Sequence, residues 1–267
     1  MKLAFRTADC GQKSSRILQE LLVERGLETG PARTAPESQG IVCYGWGERE
    51  GSQLPILNAK AGSVRGIEQL MNLSAMGISV PPFIRDIEEA DFEHLEFPML
   101  ARHNDHVGGE GIQPVFQEEE LAWRAAAGAQ YFVKYIPAQT EYRIYTYRQR
   151  LLGAYEKVMA RPEQYHGIGR NFKDGFDFKY IPSRQVPRNV VQLASNAVHH
   201  MGLDFGGVDI IHGKDGGNYV LEVNSAPGCF GKANVWINNL ADAIVRWTEN
   251  EFPKRSTTLR EVRLYAE

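Results

Sequence analysis

The sequence predicts a mixed α/β and α+β fold, with a parallel unit first and antiparallel strand pairs later, and three patterns carry that prediction. Near the N-terminus, apolar runs at 2–6 and 40–44 flank a stretch with Ile17, Leu18, Leu21 and Leu22 at helical spacing. That strand–helix–strand order builds a small parallel unit. Residues 141–158 hold two alternating runs parted by Arg148-Gln149-Arg150, the pattern of an antiparallel pair. Residues 205–228, FGGVDIIHGKDGGNYVLEVNSAPG, hold two apolar runs around a polar, glycine-rich break, which is a β-hairpin signature.

The elements follow in order. A helix over 14–25 stops at Gly26, and the strand at 40–44 runs into Gly45-Trp46-Gly47. Residues 48–62 lack periodicity and read as a loop. Ser63 is positioned to cap a helix to Met76, with Ile67, Leu70, Met71 and Leu73 as its stripe and Gly77 after it. A strand at 97–102 precedes a glycine-rich loop, HNDHVGGEGI, whose backbone N–H groups can fold over phosphate. No Gly-Lys-Ser/Thr follows, so it is not a P-loop. A helix over 117–127 and a strand over 130–136 come next. Residues 187–201 form a helix with Pro in its first turn and Gly202 beyond, and 233–249 form a last helix with Val235, Trp236, Leu240, Ile244 and Val245 inward.

The hairpin is the sharpest chemical signal. If Asp215-Gly216 makes a type I′ turn, Asp209 faces Glu222; if Gly216-Gly217 turns, Asp209 faces Asn224. In either register Asp209, Glu222 and Asn224 share one face, and Val208, Ile210, Leu221 and Val223 share the other. Two carboxylates and an amide form a hard-oxygen set suited to Mg²⁺ or Mn²⁺. An ordinary hairpin with acids on its wet face is the plainer alternative.

These residues carry a resemblance. GGVDII…YVLEVNSAPG resembles the metal-binding hairpin and following loop of the ATP-grasp superfamily, in its RimK-like carboxylate–amine ligase branch. The resemblance covers about residues 63 to 249. It implies a pre-ATP-grasp α/β domain over 1–80, a first lobe with the phosphate loop over 81–136, and a second lobe with the metal hairpin over 137–267. ATP would lie between antiparallel sheets, with the lobes meeting near 134–138. The implied ATP contacts are Arg102, Gly108, Gly109 and Gly111, with Lys134, Tyr135 and Ile136 at the adenine hinge. Arg102 stands where the family usually has Lys; it keeps the charge with a different geometry. Arg65 stands about where the family often has a helix Lys. The family's D/E-x-R strand matches Glu141 and Arg143, and its R-N element matches Arg170 and Asn171. Arg143, Arg170 and Asn171, with Lys157, are the implied catalytic residues.

The implied activity is ATP-dependent joining of a carboxylate to an amine through an acyl phosphate, adding an amino acid to a peptide, protein or small acid. The cofactors would be ATP and Mg²⁺ or Mn²⁺. Two other readings keep the same ATP residues: a kinase of the same fold, and a non-catalytic nucleotide-binding module. Net charge of −3 offers no basic surface for nucleic acid. No apolar run approaches the roughly 20 residues that span a bilayer. The three scattered cysteines, Cys10, Cys43 and Cys229, read as reduced cytoplasmic thiols. Homo-oligomerisation stays open.

Overall fold

The computed structural model describes residues 1–32, 37–47, 52–88, 96–104, 111–165, 167, 170, 172–229 and 231–252. The first sheet is parallel, in the order β2-β1-β3-β4, from β1 (Lys2–Thr7), β2 (Glu28–Pro31), β3 (Gly40–Tyr44) and β4 (Ile56–Leu57). Helix α1 (Gln12–Glu24) buries Leu18, Leu21 and Leu22. Strand β3 is buried at all of GIVCY, as expected for the centre of a sheet covered on both faces. In this sheet two strands go beyond the sequence reading. The segment ETGP of β2 has no apolar run to reveal it, and the two residues of β4 interrupt the stretch expected to be loop.

Helix α2 (Gly66–Ala75) starts two residues later than a Ser63 cap would place it, and Ser63 does not cap it. The Ser63 hydroxyl donates to the Lys60 carbonyl at 2.8 Å instead. The first-turn N–H of Ile67 finds its acceptor in a distant residue, Asn104 Oδ1, at 3.1 Å.

The second sheet is antiparallel, in the order β5-β8-β6-β7, from β5 (Phe83–Ile84), β6 (Met99–Arg102), β7 (Gln113–Val115) and β8 (Tyr131–Lys134). Alternation in β8 divides its side chains. Phe132 joins Met99, Ala101 and Val115 beneath α3 (Glu119–Ala126), which contributes Leu121. Tyr131 and Val133 pack on Ile67 and Leu70 of α2.

The third sheet has the order β11-β10-β9-β12-β13, from β9 (Ala138–Tyr147), β10 (Arg150–Met159), β11 (Phe176–Ile181), β12 (Phe205–Gly213) and β13 (Asn218–Asn224). All its pairs are antiparallel. Helix α4 (Arg188–His200) covers one face through Val190, Ala194, Ala197 and Val198, against Ile144, Val208, Ile210 and Val220. His199 and His200 at its C-terminal end are exposed. Helix α5 (Val235–Glu251) covers only the Tyr145–Tyr147 end of the other face. On α5 the buried stripe runs through Trp236, Ile237, Leu240, Ile244 and Trp247, while Val235, expected inward, is exposed. Residues 135–137 link the second sheet to the third. Main-chain bonds hold the crossing: Tyr135 N donates to Pro98 O at 2.9 Å and Lys214 N to Pro137 O at 2.9 Å.

The hairpin corrects the sequence reading in detail. Its tip closes with Gly216 N donating to Gly213 O at 3.0 Å, so Lys214 and Asp215 are the central residues. Of these loop residues only Gly216 takes positive φ, at 85°. This is neither of the two-residue turns considered. The tip pairs Ile210 with Val220, and a bulge beyond it leaves Leu221 without a partner. Val220, not Leu221, therefore enters the core at 0% exposure, and Leu221 is half-buried.

Candidate active site

The part of the third sheet that α5 leaves uncovered carries the charges. On β9, Glu141 and Arg143 point to this side, alternating with Tyr142 and Ile144. Asp209 lies opposite Arg143 on one neighbouring strand and Glu222 on the other. Arg143 grips Asp209 with two parallel bonds, Nε to Oδ1 at 2.6 Å and Nη2 to Oδ2 at 2.5 Å. Asp209 is 6% exposed. Burial alone would raise its carboxyl, but Arg143 and Lys157 outweigh burial and hold it below the usual range. Arg143 feels the converse: burial disfavours its charge, and Asp209 more than restores it.

A second cluster adjoins the first. Glu141, 2% exposed, forms an ion pair with Lys157 through Oε1 and lies 3.2 Å from Arg170 Nε through Oε2. Burial, helped by the Asp209 charge, raises the Glu141 carboxyl against the opposing pull of Lys157 and Arg170. Aromatic rings of β11 support the cations. Arg143 sits 4.8 Å from the Phe178 ring centre, Lys157 at 5.7 Å from the same ring, and Arg170 at 4.8 Å from Phe176.

Glu222 reaches solvent in the cleft, yet enough protein surrounds it that desolvation, and then Asp209 opposite, raise its carboxyl. Two facing carboxylates of this kind repel, and a divalent cation between them would relieve that repulsion. Asn224, two residues on and opposite Gly207, adds a neutral oxygen on the same face. The donor set of Asp209, Glu222 and Asn224 fits Mg²⁺ chemistry. Both oxygens of Asp209 already accept from Arg143, so a cation would use their remaining lone pairs. Among the described residues, no cluster of three or more His, Cys, Asp or Glu could hold a metal on its own.

The other expected contacts divide. Arg102, at the end of β6, lies 6.0 Å from the Tyr131 ring, and its charge acts on Glu222. Lys134 pairs with Glu96 and influences Asp215 at the hairpin tip, so it belongs to the hinge rather than to the cation cluster. Ile136 is buried, and Tyr135 is raised by burial and then by Tyr165, with Arg170 opposing. Gly111 takes φ of 72° after the glycine-rich stretch. Gly108, Gly109 and Asn171 lie outside the described residues.

Sequence reasoning missed the residues that lock the hairpin in place. Gln69 on α2 behaves like a strand neighbour: Val223 N donates to its Oε1 at 2.7 Å, and its Nε2 donates to Val223 O at 3.1 Å. The loop after β13 is seated on the N-terminal unit. Tyr44 donates its hydroxyl to Pro227 O, Gly62 N donates to Ser225 Oγ at 3.0 Å, and Cys229 N donates to Ser14 Oγ at 2.8 Å. A Cβ on Gly45 would stand 2.8 Å from Ala226 Cβ, so only glycine permits this approach. The role of β11 was also missed, although FDFKY at 176–180 alternates as a strand should.

Solved structures share this fold over nearly the whole chain. The ligase PsnB, complexed with minimal precursor, Mg and ADP, aligns over 92% of this chain and 97% of its own at a TM-score of 0.68 and 15% identity. D-alanine–D-alanine ligase from Bacillus anthracis, complexed with ATP, aligns over 94% and 98% at 0.62 and 17% identity. The fold is that of the ATP-grasp ligases. The macrocyclase MdnC from Microcystis aeruginosa, bound to its precursor peptide, has this ATP-grasp fold too, at a TM-score of 0.62 with 92% and 100% covered and 13% identity. Residues 181–248 match the RimK-like ATP-grasp domain family, a stretch that holds α4, the hairpin and most of α5. A probable alpha-L-glutamate ligase from Marinobacter nauticus is 39% identical over 69 residues, which are 26% of this chain and 23% of that relative. No helix among the described residues is long and apolar enough to cross a membrane.

Proposed function

We propose that this protein is an ATP-dependent carboxylate–amine ligase that works through an acyl phosphate. The observation that carries the reading is Asp209 facing Glu222 across the hairpin while Arg143 grips Asp209 from the next strand. A carboxylate is a poor electrophile. Transfer of the γ-phosphoryl group makes it an acyl phosphate with a good leaving group, which an amine then attacks.

Each group has a part in that sequence. Asp209, Glu222 and Asn224 would hold Mg²⁺ or Mn²⁺, which when bound neutralises phosphate charge and orients the phosphates. Arg143 would reach the transferring phosphate and the substrate carboxylate with Nη1, the guanidinium nitrogen that does not bond Asp209. Lys157 and Arg170, both held by Glu141, add positive charge where negative charge builds on the phosphoryl oxygens. Arg102 meets phosphate from the opposite lobe. Tyr135 and Ile136 would line the adenine hinge, and Gly108, Gly109 and Gly111 would supply backbone N–H groups to the phosphates. Asn171 stands beside Arg170 in this scheme.

The same reading divides the chain at about residues 80 and 136. The crossing at 135–137 between two sheets supports the second boundary. Helix α2 lies before the first boundary yet packs on the second sheet, so it serves as the bridge between them.

The test is release of ADP and phosphate from Mg·ATP across a panel of carboxylate and amine pairs, with the amide product identified by mass. Phosphorylation of a hydroxyl with no amide product would overturn the ligase reading in favour of a kinase.

A further inference from the structure

Strand β11 presents aromatic rings that phosphate chemistry does not require. Phe178 stands opposite Lys157 and Tyr180 opposite Tyr155, so both rings share the face of the catalytic cations. Phe178 supports Arg143 and Lys157, as described, but it is still 38% exposed, and Tyr180 is 42% exposed. Supporting cations explains Phe178 alone. Tyr180 contacts no cation among the described residues; its ring meets Tyr155 edge-on at 5.7 Å. Tyr155 meets Tyr145 in the same way at 5.7 Å, and Tyr145 stacks on Trp236 at 4.3 Å. The result is a floor of rings leading away from the cations. Its inner part is buried under α5, and its outer part, Phe178 and Tyr180, is open.

The spacing and charge identify what would lie there. Residues two apart on a strand stand about 6.6 Å apart, and an extended peptide repeats its same-side side chains at that distance. An anionic carboxyl group at Arg143 and Lys157 would leave the rest of its molecule over the two exposed rings. We infer that Phe178 and Tyr180 form the subsite for the body of the carboxylate substrate. That substrate is an extended peptide with an aromatic or branched aliphatic side chain two residues from the reactive carboxylate, on the same side of its backbone. The inference rests on the ligase reading and narrows its substrate class.

The test uses two peptides carrying fluorescein on the N-terminus, Phe-Ala-Glu-Ala-Phe-amide and Ser-Ala-Glu-Ala-Ser-amide, titrated against the full chain by anisotropy. Each titration is made with and without Mg²⁺ and a non-hydrolysable ATP analogue, so the shelf is tested whether or not nucleotide binds. Wild type should bind the Phe peptide at least tenfold more tightly. Tyr180→Ala should remove most of that preference while leaving affinity for the Ser peptide within twofold. Phe178→Leu, which keeps bulk without a ring, should weaken the Phe peptide and leave the circular dichroism unchanged. Equal affinity for the two peptides, or a preference untouched by Tyr180→Ala, would overturn the inference. Amide formation from Mg·ATP across the panel of carboxylate and amine pairs, read separately by mass, reports on the ligase reading itself.

Discussion

Asp209 and Glu222 face each other across β12 and β13 although the tip of their hairpin pairs one residue away from that register. The tip brings Gly213 to Gly217 and Ile210 to Val220, and the bulge at Leu221 takes up the difference. The acids thus meet on one face while Val220 drops into the core on the other.

This register makes the order of two substitutions a test. Val220→Asp would bury an unpaired charge at a fully buried position and should prevent the second lobe from folding. Leu221→Ser, at the unpaired bulge position, should cost no more than about 1 kcal/mol. Urea denaturation followed by circular dichroism would measure both. A regular two-residue turn at Asp215-Gly216 would give the reverse order.

Glu222→Gln keeps size and removes one charge. The side chain reaches solvent and is not among the buried residues of the core. Turnover of Mg·ATP should fall at least a hundredfold, with the melting temperature within a few degrees of wild type. Near-normal turnover at saturating Mg²⁺ would remove Glu222 from the metal set.

The Arg143–Asp209 pair is largely buried, with side chains 22% and 8% exposed. Breaking it from one side leaves an uncompensated charge. Arg143→Met should therefore cost about 3–5 kcal/mol of stability, and the double variant Arg143→Met with Asp209→Leu should recover most of that loss. Equilibrium denaturation of the three variants reads the coupling. Additive losses would mean that the two side chains act independently.

Cys229 gives a pH prediction. Burial pushes its thiol from the ordinary 9.0 up to about 11. The folded state holds this proton more tightly than the unfolded chain does, so the stabilisation is complete below pH 9 and is lost as pH rises through about 11. Iodoacetamide at pH 8 should label exposed Cys10 and spare Cys229. Rapid labelling of Cys229 at pH 8 in the folded protein would contradict its burial.

Patterns of local origin were legible in the sequence. Period-2 alternation in 141–147 put Glu141 and Arg143 on one face, and helical spacing found α1, α2, α4 and α5 to within a few residues. Strand β2 escaped because ETGP carries no apolar signal, and β4 because two residues cannot display a period.

By itself, the sequence determined that Asp209, Glu222 and Asn224 share a face, because strand alternation is a property of the covalent backbone. It also determined the order of parallel unit and antiparallel sheets, since apolar periodicity is written along the chain. Tertiary structure alone decided who meets these residues. Arg143 lies 66 residues before Asp209, and Gln69 lies 154 before Val223, and both pairs form only when strand order and helix docking bring them together. The bulge at Leu221 was likewise a tertiary decision. Val220 reaches 0% exposure against α4, and burying it there outweighs keeping the ladder regular.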